Sequence, residues 1–175
     1  MAAIAMAASL AACAAEDAAP LAPLEQYAEK GGRVRDGADV LDAEFEEGLT
    51  QKLADAEDRY GYQLGVATVT DLGGYGLQDY ARRDGNEWHL GDNGILLLLV
   101  MGEEQVRIET GAGVRGAMTD AFCQTVIDDA IVPSFQREDF ETGISDATRI
   151  LVERMRANPK IPANDNAPLA AGDAA

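Results

Sequence analysis

The side chains able to do chemistry gather in three short stretches. Asp92-Asn93-Gly94 stands directly before an apolar run, Gly111-Ala-Gly-Val-Arg-Gly116 follows a strand-like segment, and Thr119-Asp120 opens a helix-like one. If the segment before Gly111 returns antiparallel to the apolar run, the turn at Asp92 and the loop after Thr110 share one end of a sheet, where Asp92, Asn93 and Asp120 converge. Carboxylate and amide oxygens joined by backbone carbonyls suit Ca²⁺, which takes roughly six to eight oxygen ligands. The same residues have plain structural uses, since Asp-Asn-Gly is a turn and an Asp at a helix start is a cap. Asp71, just after an earlier strand, falls at the opposite end by the same logic and stands outside this group.

Other chemistries are poorly served. Gly111 to Gly116 matches the dinucleotide fingerprint by letter, but that fingerprint requires the first strand of a parallel unit and a helix that starts within the glycines. Here the preceding strand is the return arm of a hairpin, and Met118 and Thr119 intervene, so a tight turn is expected and no nucleotide. There is no Walker loop, Cys-x5-Arg loop, Asp-x-Asp pair or serine nucleophile elbow. His89 is the single histidine, and between residues 31 and 156 the serines are Ser134 and Ser145, neither in an activating context. Zinc is not expected without clustered His or Cys. Cys123, beside Phe122 and Val126 on the apolar face of a helix, reads as a core thiol.

To position these groups the chain needs a sheet with helices packed on it. Asp42 can cap a helix to Tyr60, with Phe45, Leu49, Leu53, Ala56 and Tyr60 at helical spacing and Gly61 at its end. Residues 63–70 are short, β-branched and apolar on both faces, as a strand covered on both sides must be. A second helix carrying Leu77, Tyr80, Ala81 and Trp88 leads to a second such strand at 95–101, and strand, helix, strand implies a right-handed parallel crossover. Residues 105–110 alternate Val106 and Ile108 with Arg107 and Glu109, the pattern of a half-exposed antiparallel edge. Thr119 or Asp120 caps a third helix with Phe122, Cys123, Val126, Ile127, Ala130 and Ile131 in one stripe, ending near Pro133. A last helix from about Asp139 turns Phe140, Ile144, Ala147, Leu151 and Met155 inward. The expected fold class is α/β: a central mixed sheet, parallel crossover plus antiparallel hairpin edge, sandwiched by about four helices.

The 175-residue chain carries a net charge of −17, with 12 basic against 25 acidic residues between positions 31 and 156. Such a surface repels phosphate backbones and anionic head groups, so neither nucleic acid nor unaided attachment to an acidic bilayer is expected. Residues 1–12 are uncharged and run through Leu10-Ala11-Ala12 into Cys13, which resembles a bacterial lipoprotein signal with its lipobox. That resemblance implies cleavage before Cys13, a lipid on Cys13, attachment to a membrane through it, and a place on the bacterial cell envelope facing the periplasm or the exterior. Residues 13–30, with Pro20 and Pro23, read as a tether, residues 31–156 as one domain, and residues 157–175, with Pro159, Pro162 and Pro168, as a disordered tail.

A longer resemblance spans the domain. Gly32-Arg-Val-Arg-Asp36 with Val40-Leu41, then Gln63-Leu-Gly-Val-Ala-Thr-Val, Trp88-His-Leu-Gly91, Asp92-Asn93-Gly94 and ILLLLV follow in order. After them come Val106-Arg-Ile-Glu, Gly111-Ala-Gly113, Thr119-Asp120 and Ile131-Val-Pro-Ser-Phe135 with Asp139-Phe140 and Gly143. This series resembles the TPM domain over residues 31 to about 156. The resemblance implies a sheet flanked by helices and adds Asp36, from the first motif, to the candidate carboxylates. The family includes plant thylakoid-lumen proteins of photosystem II repair, members with claimed acid phosphatase activity, calcium-associated members and bacterial proteins held at the membrane. Three roles follow as expectations. The first is a lipid-anchored binding or accessory module with a protein partner in the envelope, acting in membrane-protein assembly or repair. The second is a metal-assisted phosphatase, in which a carboxylate-bound metal activates water or polarises phosphoryl oxygen. The third is a structural envelope lipoprotein.

Overall fold

The computed structural model describes residues 32–160. The signal at 1–12, Cys13, the tether at 13–30 and residues 161–175 lie outside the described residues. Four strands form one mixed sheet in the order β1 (Val34–Asp36), β2 (Gln63–Val69), β3 (Gly94–Val100), β4 (Gln105–Thr110). β1 to β3 run parallel and β4 antiparallel to β3, with Val66 opposite Val34 and Leu97, and Ile108 opposite Leu97. β3 is buried along its whole length and β2 at every position but Gln63, because helices cover both faces. That double cover is what the unbroken apolar runs require. β4 is half exposed at most positions, as its alternation demands.

Helix α1 (Ala43–Tyr60) starts where the Asp42 side chain accepts from Phe45 N and stops at Gly61, whose φ of 74° is open to glycine at little cost. Helix α2 (Leu77–Glu87) links β2 to β3. The third rod is irregular: α3 (Asp120–Val126), capped by Thr119, a π-helical turn (Ile127–Ile131) and α4 (Val132–Phe135). The helix therefore runs past Pro133 rather than ending there. A proline ring clashes with the carbonyl four residues back and lacks an N–H, and the wider π turn, closed by Val132 N to Ile127 O, accommodates both. Helix α5 (Phe140–Ala157), capped by Asp139, completes four helical bodies. Beyond it, Lys160 N donates to Tyr60 O (2.8 Å) and Tyr62 Oη to Asn158 O, so residues 158–160 lie against the end of α1.

The sheet faces are unequal. One, with Val34, Leu64, Val66, Leu97 and Ile108, packs against α1, the α3–α4 rod and α5; the other, with Ala67, Val69, Leu96, Leu98 and Val100, packs against α2. The crossovers β1–α1–β2 and β2–α2–β3 step in the same direction across the sheet, yet their helices lie on opposite faces. Such units have opposite hands, so one of them departs from the right-handed rule. β1 is absent from the sequence reading because three residues carry no periodic signal; it exists as a ladder on β2, with Arg33 O accepting from Val66 N at 2.9 Å.

Candidate functional site

At the start of β3 the glycines of the family-like motifs press two loops together. A Cβ on Gly111 would lie 2.5 Å from the carbonyl oxygens of Gly91 and Asp92, and one on Gly94 would lie 2.6 Å from Leu90 Cβ. Gly111 N donates to Gly94 O and Gly113 N to Asp92 O, both at 2.9 Å. These glycines serve backbone contact between the Asp92 turn and the loop after β4, which explains the fingerprint-like spacing without any phosphate. Asp92 and Asn93 are exposed on this turn, and Asn93 O accepts from Gln63 N at 3.0 Å.

The other carboxylates sort by topology. Asp120 is exposed in the first turn of α3, beyond the loop that follows Gly111, and its charge bears on Cys123. Asp36 stands at the opposite end of the sheet, opposite Thr68 in β2 and hence level with Leu99 in β3, five residues up the strand from Gly94. With about 3.3 Å per residue that separation is roughly 17 Å. Asp36 Oδ2 accepts from Val40 N and Leu41 N, each at 2.8 Å, and Oδ1 takes the Thr68 hydroxyl. Its oxygens thus hold the loop that launches α1. Asp71 shares that end, with Oδ1 on Gly73 N at 2.7 Å. The adjacent Asp92 and Asn93 thus lie at one end of the sheet and Asp36 at the other; among the described residues no three His, Cys, Asp or Glu side chains form a metal-holding group.

Two clefts flank the Asp92 turn. One of about 270 Å³ is lined by Arg82 and Asn86 of α2, Asp92, and Gly111, Ala112 and Arg115 of the facing loop. Arg107, the other basic residue near this strand, is held by Glu109 at 2.8 Å, so Arg82 and Arg115 are the cleft's cations. The second, about 500 Å³, is lined by Glu57, Asp58, Gln63, Asp92 and Asn93, and Glu57 pairs with Arg33.

The nucleophile candidates are occupied otherwise. Cys123 is buried, and desolvation with the nearby Asp120 charge pushes its thiol up to about 11, so it stays protonated at neutral pH. Ser134 is buried at the junction of α4 and α5, its hydroxyl taking a long bond from Arg137 Nη2. His89 is exposed just past α2, at φ 56°.

A groove of about 770 Å³ runs between α1 and α5, more voluminous than either sheet-end cleft and lined by no residue of the Asp92 turn or of the loop after β4. Its floor is Leu49, Leu53 and Ala56 of α1 with Val152 of α5. The helices run parallel: Asp42 N meets Glu141 Oε1 (2.9 Å) at one end and Lys160 N meets Tyr60 O at the other. No periodicity within either helix announces this groove, because it exists only where the two lie side by side.

A family model described as the TPM domain matches residues 34–154. Among solved structures, the N-terminal domain of a P. gingivalis protein superposes with a TM-score of 0.71 at 27% identity, covering 77% of this chain and 88% of that one. The N-terminal domain of the cg2496 protein of Corynebacterium glutamicum gives 0.60 at 13% identity, over 77% of this chain and 86% of that one. The BA42 protein of Bizionia argentinensis gives 0.61 at 19%, over 71% and 86%; at these identities the likeness is one of fold. No curated protein matches the chain.

Proposed function

The chain belongs to the TPM domain family, and on that premise we propose that it works as a lipid-anchored accessory module of the bacterial cell envelope that engages a protein partner during assembly or repair of membrane proteins. The observation that supports the binding role is the groove of about 770 Å³ between α1 and α5, with Leu49, Leu53, Ala56 and Val152 at its floor and charged residues on its walls. The anchor rests on Leu10-Ala11-Ala12-Cys13, and the net charge of −17 supports it indirectly, since a protein so acidic is repelled by an anionic bilayer and needs a lipid to stay there. Mass spectrometry of protein purified from membranes should find Cys13 as an acylated N-terminus. Affinity capture from detergent-solubilised membranes should return a stoichiometric partner; a soluble chain that returns none would sink both halves of the proposal.

A second reading, metal-assisted phosphatase, is favoured by one observation: Arg82 and Arg115 face one cleft beside Asp92. Two guanidinium groups suit a phosphoryl group, and a metal bound there would polarise it. Calcium binding is part of the proposal only as an experiment, because Asp36 is committed to its loop and Asp92 and Asn93 alone fall short of a six-ligand shell. Turnover of a phosphomonoester lost in Asp92→Asn and Arg115→Ala would establish the enzyme; turnover unchanged in both, and no heat on titration with millimolar Ca²⁺, would remove it.

A further inference from the structure

Within the binding role proposed above, we propose that the α1–α5 groove receives an amphipathic helix of a partner protein, lying antiparallel to α1 and α5 with acidic side chains in its first turns. Gly48 is the first indication. It sits in the second turn of α1, exposed on the groove, and a Cβ there would meet nothing within 4 Å. Neither a positive φ nor a neighbouring atom asks for glycine, although glycine weakens a helix interior relative to alanine. A small residue facing a groove lets a partner's backbone approach closely.

The charges supply direction. Asp42, Glu44 and Glu141 line the end where both helices start, whereas Arg59 and Arg156 line the end where they finish; Lys52, Asp55 and the paired Arg149 and Glu153 lie between and balance one another in charge. Two of the acids at that first end are bonded to backbone at the start of α1, Asp42 accepting from Phe45 N and Glu141 of α5 accepting from Asp42 N. Arg59, Arg156 and Lys52 make no ion pair within the described residues and face the groove. Helices favour acids in their first turn and bases in their last. A docked helix of that ordinary polarity places its acids on Arg59 and Arg156 and its bases by Glu44 only if it runs opposite to α1 and α5, an orientation in which its dipole is also attracted. A second copy of this chain is a poorer occupant, because two bodies of charge −17 repel.

The test uses two designed peptides of roughly 18 residues, about five turns. Both carry a leucine stripe; one has Glu in its first two turns and Lys in its last two, and the other has the two exchanged. Titrated against the full-length protein, the acid-first peptide should bind at least about tenfold tighter. Arg59→Glu with Arg156→Glu should invert the preference, a cycle that cancels differences in peptide helicity. Gly48→Leu should cost about tenfold or more in affinity while the melting temperature does not fall, because leucine is the better helix former. Equal affinity for both peptides, binding of neither at millimolar concentration, or a preference that survives the double reversal would overturn the proposal. If Gly48→Leu instead converts a dimer of the chain alone to a monomer in light scattering, the occupant is a second copy and the partner helix is refuted. A membrane partner captured equally well by Gly48→Leu would remove the groove yet leave the accessory role standing.

Discussion

Arg35 on β1 and Asp84 on α2 form an ion pair whose side chains are only 5% and 1% exposed, on the sheet face covered by α2. Arg35 also lies 5.2 Å over the Trp88 ring, while Asp84 Oδ1 is buried with no hydrogen-bond partner. Burial pushes the Asp84 carboxyl above the ordinary carboxylate range, against the opposing pull of Arg35's hydrogen bond and charge. Arg35→Met removes the compensating cation, and leaving a buried charge unpaired costs about 3–5 kcal/mol. Replacing both, with Arg35→Met and Asp84→Leu, loses a desolvated cation–π contact of about 2 kcal/mol but also removes two desolvated charges and an orphaned oxygen worth about 1–3 kcal/mol. Apolar replacement of a buried pair is commonly neutral or stabilising by about 1–4 kcal/mol, so the double variant should match or exceed the parent by about 1–2 kcal/mol. The pH dependence gives a second signature. With the folded-state carboxyl raised, the native state binds a proton that the unfolded state releases, so stability falls as pH rises above the ordinary value near about 4 towards the folded value. In Arg35→Met that fall steepens towards about 1.4 kcal/mol per pH unit and the deficit shrinks in acid; in the double variant this contribution disappears. Urea denaturation followed by far-ultraviolet circular dichroism at several pH values measures all of this. A double variant less stable than either single variant, or a deficit in Arg35→Met that does not shrink in acid, would refute the reasoning.

Cys123 should resist iodoacetamide in the native protein at pH 8 and react at once in urea; because its folded-state thiol is raised to about 11, its share of stability is intact below the ordinary thiol value near about 9 and is lost between there and 11. Gly111→Ala should destabilise the domain by about 2–3 kcal/mol in thermal melts, since its Cβ would meet two backbone oxygens that cannot rotate away. His89→Gly should stabilise by about 1 kcal/mol, because His89 holds the left-handed position after α2 (φ 56°) in a turn where Leu90 N reaches Gly85 O at 3.0 Å; a lower melting temperature would assign His89 an interaction beyond its backbone.

The residue pattern alone determined whatever depends on near neighbours: the two buried strands from their unbroken apolar runs, the antiparallel edge from its alternation, and the helix ends from Asp42, Gly61, Thr119 and Asp139. It also placed the Asp92 turn and the loop after β4 at one sheet end, because a hairpin admits one geometry. Tertiary structure decided the rest. β1 exists only as a partner for β2; the opposite hands of the crossovers depend on which face each helix covers; Asp36 went to the far end once β1 ran parallel to β2. Arg35 met Asp84 across 49 positions, and the α1–α5 groove formed between helices that the chain places 80 positions apart, from Tyr60 to Phe140 at the nearest. Periodicity says which side of an element is apolar, whereas a pair or a groove made by two distant elements is set by how their faces pack, and no local spacing encodes that.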